Sequence, residues 1–125
     1  MGSILLDRGD RIAFMGDDHL SIKVAMYAFG EFEFVKQSII ETQNNTDNIL
    51  SYPLYWTQSI YDYYLLTNDT SLLKQLDSMI QYYLNQSIAV FGTNPATTYM
   101  DGMSELVQSL SLQMFVLKHN IYIIC

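Results

Sequence analysis

Between residues 71 and 87 the apolar side chains fall at Leu72, Leu76, Met79, Ile80, Tyr83 and Leu84. Steps of three and four return to one side of a helix with 3.6 residues per turn. Helical spacing of this kind runs through most of the 125 residues, and the polar–apolar alternation of a half-buried strand is nearly absent. A chain patterned in this way folds as packed helices. The tail Ile121-Tyr122-Ile123-Ile124-Cys125 is the one stretch that reads as a strand or a frayed end.

Helix-breaking residues divide the pattern. Asp17 or Asp18 can cap a first helix with Leu20, Ile22, Val24, Ala25, Met26, Ala28 and Phe29, which spread over more than one face and imply burial. Gly30 ends it. A second helix is expected over 32–42, with Phe32, Val35, Ile39 and Ile40 on one stripe, and the polar run 43–48 reads as a loop. Pro53 suits the first turn of an aromatic third helix with Tyr55, Trp56, Tyr61, Tyr63 and Tyr64, ending near Leu66. Asn68-Asp69-Thr70 supplies a turn and a cap for the fourth helix, 71–87, and Gly92 to Pro95 break it. A fifth is expected over 104–118 with Leu106, Val107, Leu110, Met114 and Leu117. The class is all-α, with two consecutive antiparallel helical hairpins in which more buried helices alternate with more amphipathic ones. No repeat of fixed period is present, which weighs against helical-repeat arrays.

Half of the residues are hydrophobic and 15% are charged. That composition supports a core within one domain, or a piece of one. A net charge of −7 with six scattered Lys and Arg argues against nucleic acid, whose phosphates need clustered cations. No apolar run reaches the roughly 18 residues of a membrane span. The N-terminus lacks a basic start and a long apolar centre, so no signal peptide is expected, and Leu6 spoils a myristoylation motif at Gly2. The lone Cys125 forms no internal disulfide, and no Cys/His spacing suggests a metal. No cofactor is expected. Asn-x-Ser/Thr triplets at Asn44, Asn68 and Asn85 favour a secretory route for the full-length protein.

Chemistry concentrates in Arg8-Gly9-Asp10-Arg11-Ile12-Ala13-Phe14-Met15-Gly16-Asp17. Two guanidinium groups, two carboxylates, an aromatic face and two glycines are not what a core asks for. They suit the binding of a polar, ring-shaped substrate, because a carboxyl beside Arg can be oriented and tuned. A solvated charged loop is the alternative. Arg8-Gly9-Asp10 is also the integrin-recognition tripeptide, a triplet that arises readily by chance. His19 is expected to cap or pack beside the first helix, and His119 to complement a helix C-terminus. Core packing accounts for most of the Tyr and Trp cluster, with Trp56 and Tyr55 as candidates for a sugar subsite.

Residues 7–95 resemble the catalytic domain of α-L-rhamnosidases and related six-hairpin glycosidases, in three blocks. The first is the stretch just quoted, similar to the family's Arg-x-Glu-Arg-x-x-Trp-x-Gly-Asp. The second is the following helix with its Ala25-Met26-Tyr27-Ala28-Phe29-Gly30 ending. The third joins Tyr52-Pro53-Leu54-Tyr55-Trp56 to Tyr63-Tyr64-Leu65-Leu66-Thr67-Asn68-Asp69. The resemblance implies an (α/α)6 toroid, a carbohydrate substrate and inverting acid/base hydrolysis of terminal sugars. Asp10 falls at the general acid, a Glu in the family. Arg8 falls at the sugar-contacting Arg and Phe14 at a Trp that packs on the sugar ring, while Arg11, Gly16 and Asp17 match unchanged. Asp is one methylene shorter than Glu, and Phe lacks the indole N–H.

Inversion needs two carboxyl groups about 6.5–9.5 Å apart. The two flanking arginines would lower the Asp10 pKa where an acid needs it raised, so burial or a nearby carboxylate such as Asp17 has to reverse that. The family's base comes from later in the chain, and neither Asp101 nor Glu105 matches it. A twelve-helix toroid takes roughly 190 residues with helices and connections of ordinary length. The expectation is therefore a partial, inactive toroid with an unmatched tail at 96–125. The other expectation is a small all-α binding or assembly module without chemistry.

Overall fold

The computed structural model of the protein describes residues 13–46, 48–49 and 51–91. Arg8, Asp10, Arg11, the expected helix at 104–118 and the rest of the 96–125 tail lie outside the described residues. Four α-helices follow one another: α1 Asp18–Val24, α2 Phe32–Glu41, α3 Tyr52–Thr67 and α4 Ser71–Phe91. One turn of wider π-helix, Ala25–Phe29, prolongs α1. No strand occurs among the described residues.

Local sequence explains the ends. The π turn stops at Gly30, whose φ of 67° and ψ of 25° are left-handed and cost a residue without a Cβ little. Asn68 ends α3 in the same conformation, with φ 55°, and its N–H bonds the Tyr64 carbonyl. Pro53 lies in the first turn of α3, where its missing N–H has no role. Asp69 starts α4: its Oδ1 accepts the Ser71 N–H at 2.8 Å, closing a turn onto the new helix. Asp69 Oδ2 accepts from Lys36 Nζ at 3.0 Å and Tyr63 Oη at 3.1 Å. The turn is thereby tied to α2 and α3, and these donors hold its carboxyl well below the usual range.

Cross-helix contacts give the directions. Ser38 reaches back to Asp18 and Lys36 lies beside Asp69. His19 meets Ser59 and Lys23 meets Asp62. Those pairs make α1 and α3 parallel neighbours, with α2 running against both. The α4 helix returns along α3, where Tyr83 sets its ring edge-on to Trp56. The two antiparallel hairpins anticipated from the sequence are both present. Ile22, Met26, Ile39, Trp56, Ile60 and Leu76 belong to one continuous core.

α3 is buried on several sides because α1, α2 and α4 all pack on it. The other helix expected to be largely buried is not. Leu20, Val24 and Phe29 are 73%, 56% and 72% exposed, and Ile22 and Met26 carry the apolar contact of α1 and its π turn with the core. The flank of α1 away from α3 is left largely uncovered by the described residues. With Phe34 of α2 it forms an open apolar groove of about 410 Å³. Neither carboxylate caps α1 as expected: Asp17 makes no capping hydrogen bond and Asp18 lies inside the first turn.

Ile60→Ala, at a fully buried site, is expected to lower unfolding free energy by about 2–5 kcal/mol. Leu20→Ala is expected to stay within about 0.5 kcal/mol of the parent. Urea unfolding followed by circular dichroism checks both. A large loss from Leu20→Ala would mean that its flank is covered.

Candidate functional site

The described end of the Arg- and Asp-rich block is locked against the start of α3. The Tyr52 hydroxyl donates to Asp17 Oδ1 at 2.7 Å, and its ring lies over Gly16. A methyl on Gly16 would overlap that ring, so the glycine is needed for close approach rather than for an unusual φ. The Met15 N–H bonds the Asn45 carbonyl at 3.0 Å, and the Asn45 amide returns a bond to the Ala13 carbonyl at 2.8 Å. Together these contacts bring the segment before α1 to the common end of α1 and α3. Phe14 is half-buried there, and its carbonyl accepts the Asp18 N–H.

One turn further in, polar side chains line the contact of α1 with α2 and α3. Asp18 is 1% exposed. The Ser38 hydroxyl donates to its Oδ2 at 3.2 Å, while Oδ1 is buried with no hydrogen-bond partner. Burial pushes the carboxyl up to about 7; the Ser38 bond opposes the rise and the Asp17 charge adds to it. Near neutral pH this acid is poised between its two forms.

His19, the next residue, is also buried. Its ring stacks on Tyr55 at a centroid distance of 5.6 Å, and Nδ1 lies 2.8 Å from Ser59 Oγ. Ser59 Oγ already donates to the Tyr55 carbonyl at 3.0 Å. It therefore accepts from His19, which places the ring proton on Nδ1 and leaves Nε2 as the acceptor. A nucleophilic serine needs the reverse, a histidine accepting its proton. Ser59 is moreover fully buried on α3, so this pair packs helices rather than attacking a substrate. Burial, then Lys23, lowers the His19 pKa against the pull of Asp62. Lys23 and Asp62 pair at 3.2 Å without an aligned hydrogen bond to Asp62 Oδ2, while Asp62 Oδ1 accepts from Gln58.

Of the six residues singled out from the sequence, Phe14 and Asp17 both lie in the segment just before α1. Arg8, Asp10 and Arg11 lie outside the described residues. Trp56 does not join them. It is 1% exposed, and its Nε1 donates to the Ile39 carbonyl at 2.9 Å. No ring face is left for a sugar, because three helices use it for packing. Tyr55, the other candidate, is half-buried against His19.

The Asp18–Ser38 contact is not among the expectations drawn from the residues, although they carry its signal. Asp18 stands four residues before Ile22 and eight before Met26, on the face of α1 that enters the core. Ser38 falls between Val35 and Ile39 on the buried stripe of α2. A carboxylate in register with a buried stripe is a buried carboxylate. Among the described residues no group of three or more His, Cys, Asp or Glu could hold a metal ion, and no helix is long and apolar enough to cross a membrane. No protein-family model, curated protein or solved structure matches the chain.

A raised carboxyl pKa favours the protonated folded state. The contribution of Asp18 to stability is fully present below about pH 4 and lost as pH rises to about 7. The lowered His19 pKa acts oppositely: its contribution is present above about pH 6.5 and lost as pH falls through the folded value. Asp18→Asn keeps the shape and removes the first effect. Thermal midpoints measured from pH 4 to 8 are expected to show the variant gaining on the parent up to about pH 7, then running parallel. Parallel profiles throughout would refute the buried, protonated Asp18.

Proposed function

We propose that this chain is part of a glycoside hydrolase-like α/α domain, resembling α-L-rhamnosidases, that acts on terminal sugars of carbohydrate. The observation that carries the reading is the latch of Tyr52 onto Gly16 and Asp17. It fixes the end of the Arg8–Asp17 block at the shared mouth of two parallel helices, where Phe14 is also held. The hairpin order supports it: an up, down, up, down run with the first and third helices side by side is the unit from which an α/α ring is built. The bare flank of α1 is where a further hairpin of such a ring would pack.

In this reading Asp10 donates a proton to the leaving oxygen, Arg8 and Arg11 hold hydroxyl groups, and Phe14 offers its ring to the sugar face. Inverting hydrolysis also takes a second carboxylate that activates water on the opposite face of the sugar. A second reading, an all-α binding or assembly module without chemistry, has the same groove of Leu20, Val24, Phe29 and Phe34 in its favour.

Titration of the isotope-labelled chain with L-rhamnose, followed by amide chemical shifts, separates the two. Saturable shifts concentrated in residues 8–17 and at Tyr52, and absent with unrelated sugars, are the expected result. No shift at any sugar, together with self-association on sedimentation, would replace the glycosidase reading by the module. In a form carrying further hairpins, Asp10→Asn is expected to reduce aryl-rhamnoside hydrolysis at least a hundredfold. Undiminished activity would remove Asp10 from the acid role.

A further inference from the structure

Three Asn-x-Ser/Thr triplets occur, and the fold treats them differently. Asn85 and Ser87 both lie within α4. Two residues along an α-helix turn by about 200°, so positions i and i+2 face opposite sides. Asn85 accordingly faces solvent, whereas Ser87 is buried. No enzyme can hold both side chains of that triplet together unless the helix opens.

Asn68 and Thr70 occupy the turn between α3 and α4, outside both helices. Asn68 is exposed in the left-handed conformation. Between them, the Asp69 carboxylate is taken up by Lys36, Tyr63 and Ser71. The Asn68 amide is exposed and the Thr70 hydroxyl half-buried in this turn, with no hydrogen bond to either side chain among the described residues. The third triplet is intermediate. Asn44 is exposed in a turn, but the Thr46 hydroxyl already accepts the Asn48 N–H at 3.3 Å.

We propose that Asn68 is an acceptor for an N-linked glycan, used in the folded protein ahead of Asn44 and to the exclusion of Asn85. The donor is an oligosaccharide carried on a lipid diphosphate. Asn68 Nδ2 forms a bond to the anomeric carbon as the bond from that carbon to the phosphate oxygen breaks. The electron pair leaves with the lipid diphosphate, and the amide loses one proton to a carboxylate base of the transferase. The turn meets the geometric need of this reaction, since amide and hydroxyl must be offered together on one bent, accessible segment.

The test uses the folded full-length chain with a single-subunit oligosaccharyltransferase and a lipid-diphosphate oligosaccharide, read by intact mass and peptide mapping. One glycan at Asn68 is expected, with lower occupancy at Asn44 and none at Asn85. A free peptide spanning 82–90 is expected to be modified under the same conditions, at least tenfold faster than Asn85 in the folded chain. Asn68→Gly removes the acceptor while keeping the left-handed turn. Thr70→Ala removes modification with Asn68 in place, and Thr70→Ser restores it. An unmodified Asn68 in the folded chain, or Asn85 modified there as fast as in its peptide, would overturn the proposal.

Discussion

Trp56 joins three of the four described helices through one side chain. Its indole is buried at the middle of the described helices, and its one polar atom has to find an acceptor because no water reaches it. The Ile39 carbonyl on α2 supplies that acceptor, and the Tyr83 ring on α4 meets the indole edge-on. One residue of α3 thus fixes the distance to both neighbours. The Tyr83 hydroxyl then reaches the Gln43 carbonyl, tying α4 to the end of α2. These are specific contacts laid over an unspecific one, the burial of Leu54, Ile60 and Leu72 around the same helix.

On another side α3 and α2 meet α1 through a different chemistry. Asp18, His19, Ser38, Ser59 and Asp62 are all buried. Such an interface costs desolvation for every group, and it holds only while each keeps a partner or gives up its charge. Most have partners. Asp18 Oδ1 does not, and the carboxyl responds by retaining its proton to near-neutral pH. The arrangement fixes the register of α1 on α3, because only this alignment places His19 at Ser59 and Lys23 at Asp62 together.

The two faces of α1 are therefore opposites: a polar, tightly matched side against α3 and an apolar, bare side away from it. Leu20, Val24, Tyr27 and Phe29 on the bare side are more apolar than a solvent-facing flank requires. A longer ring of hairpins and a separate partner would each cover them. The Gly16, Asp17 and Tyr52 latch lies at the N-terminal end of the same helix.

Helix order, the breaks at Gly30 and Asn68, the place of Pro53 and the two hairpins were legible in the residues themselves. Each rests on local backbone preference and on a period of 3.6 that neighbours in sequence carry without help. The face of α1 that would be buried was not legible, since apolar residues all round a short helix do not say how many neighbours it has. The role of Trp56 was equally out of reach: an aromatic suits a sugar or a core alike, and only the position of Ile39 and Tyr83 decides. Asp17 reads as a cap or a site residue until Tyr52, thirty-five positions away, takes its oxygen. Short-range patterning therefore determined what the elements are. Contacts between residues distant in sequence decided which side chains are packed, paired or left open, because burial is a property of the assembled helices and not of any one of them.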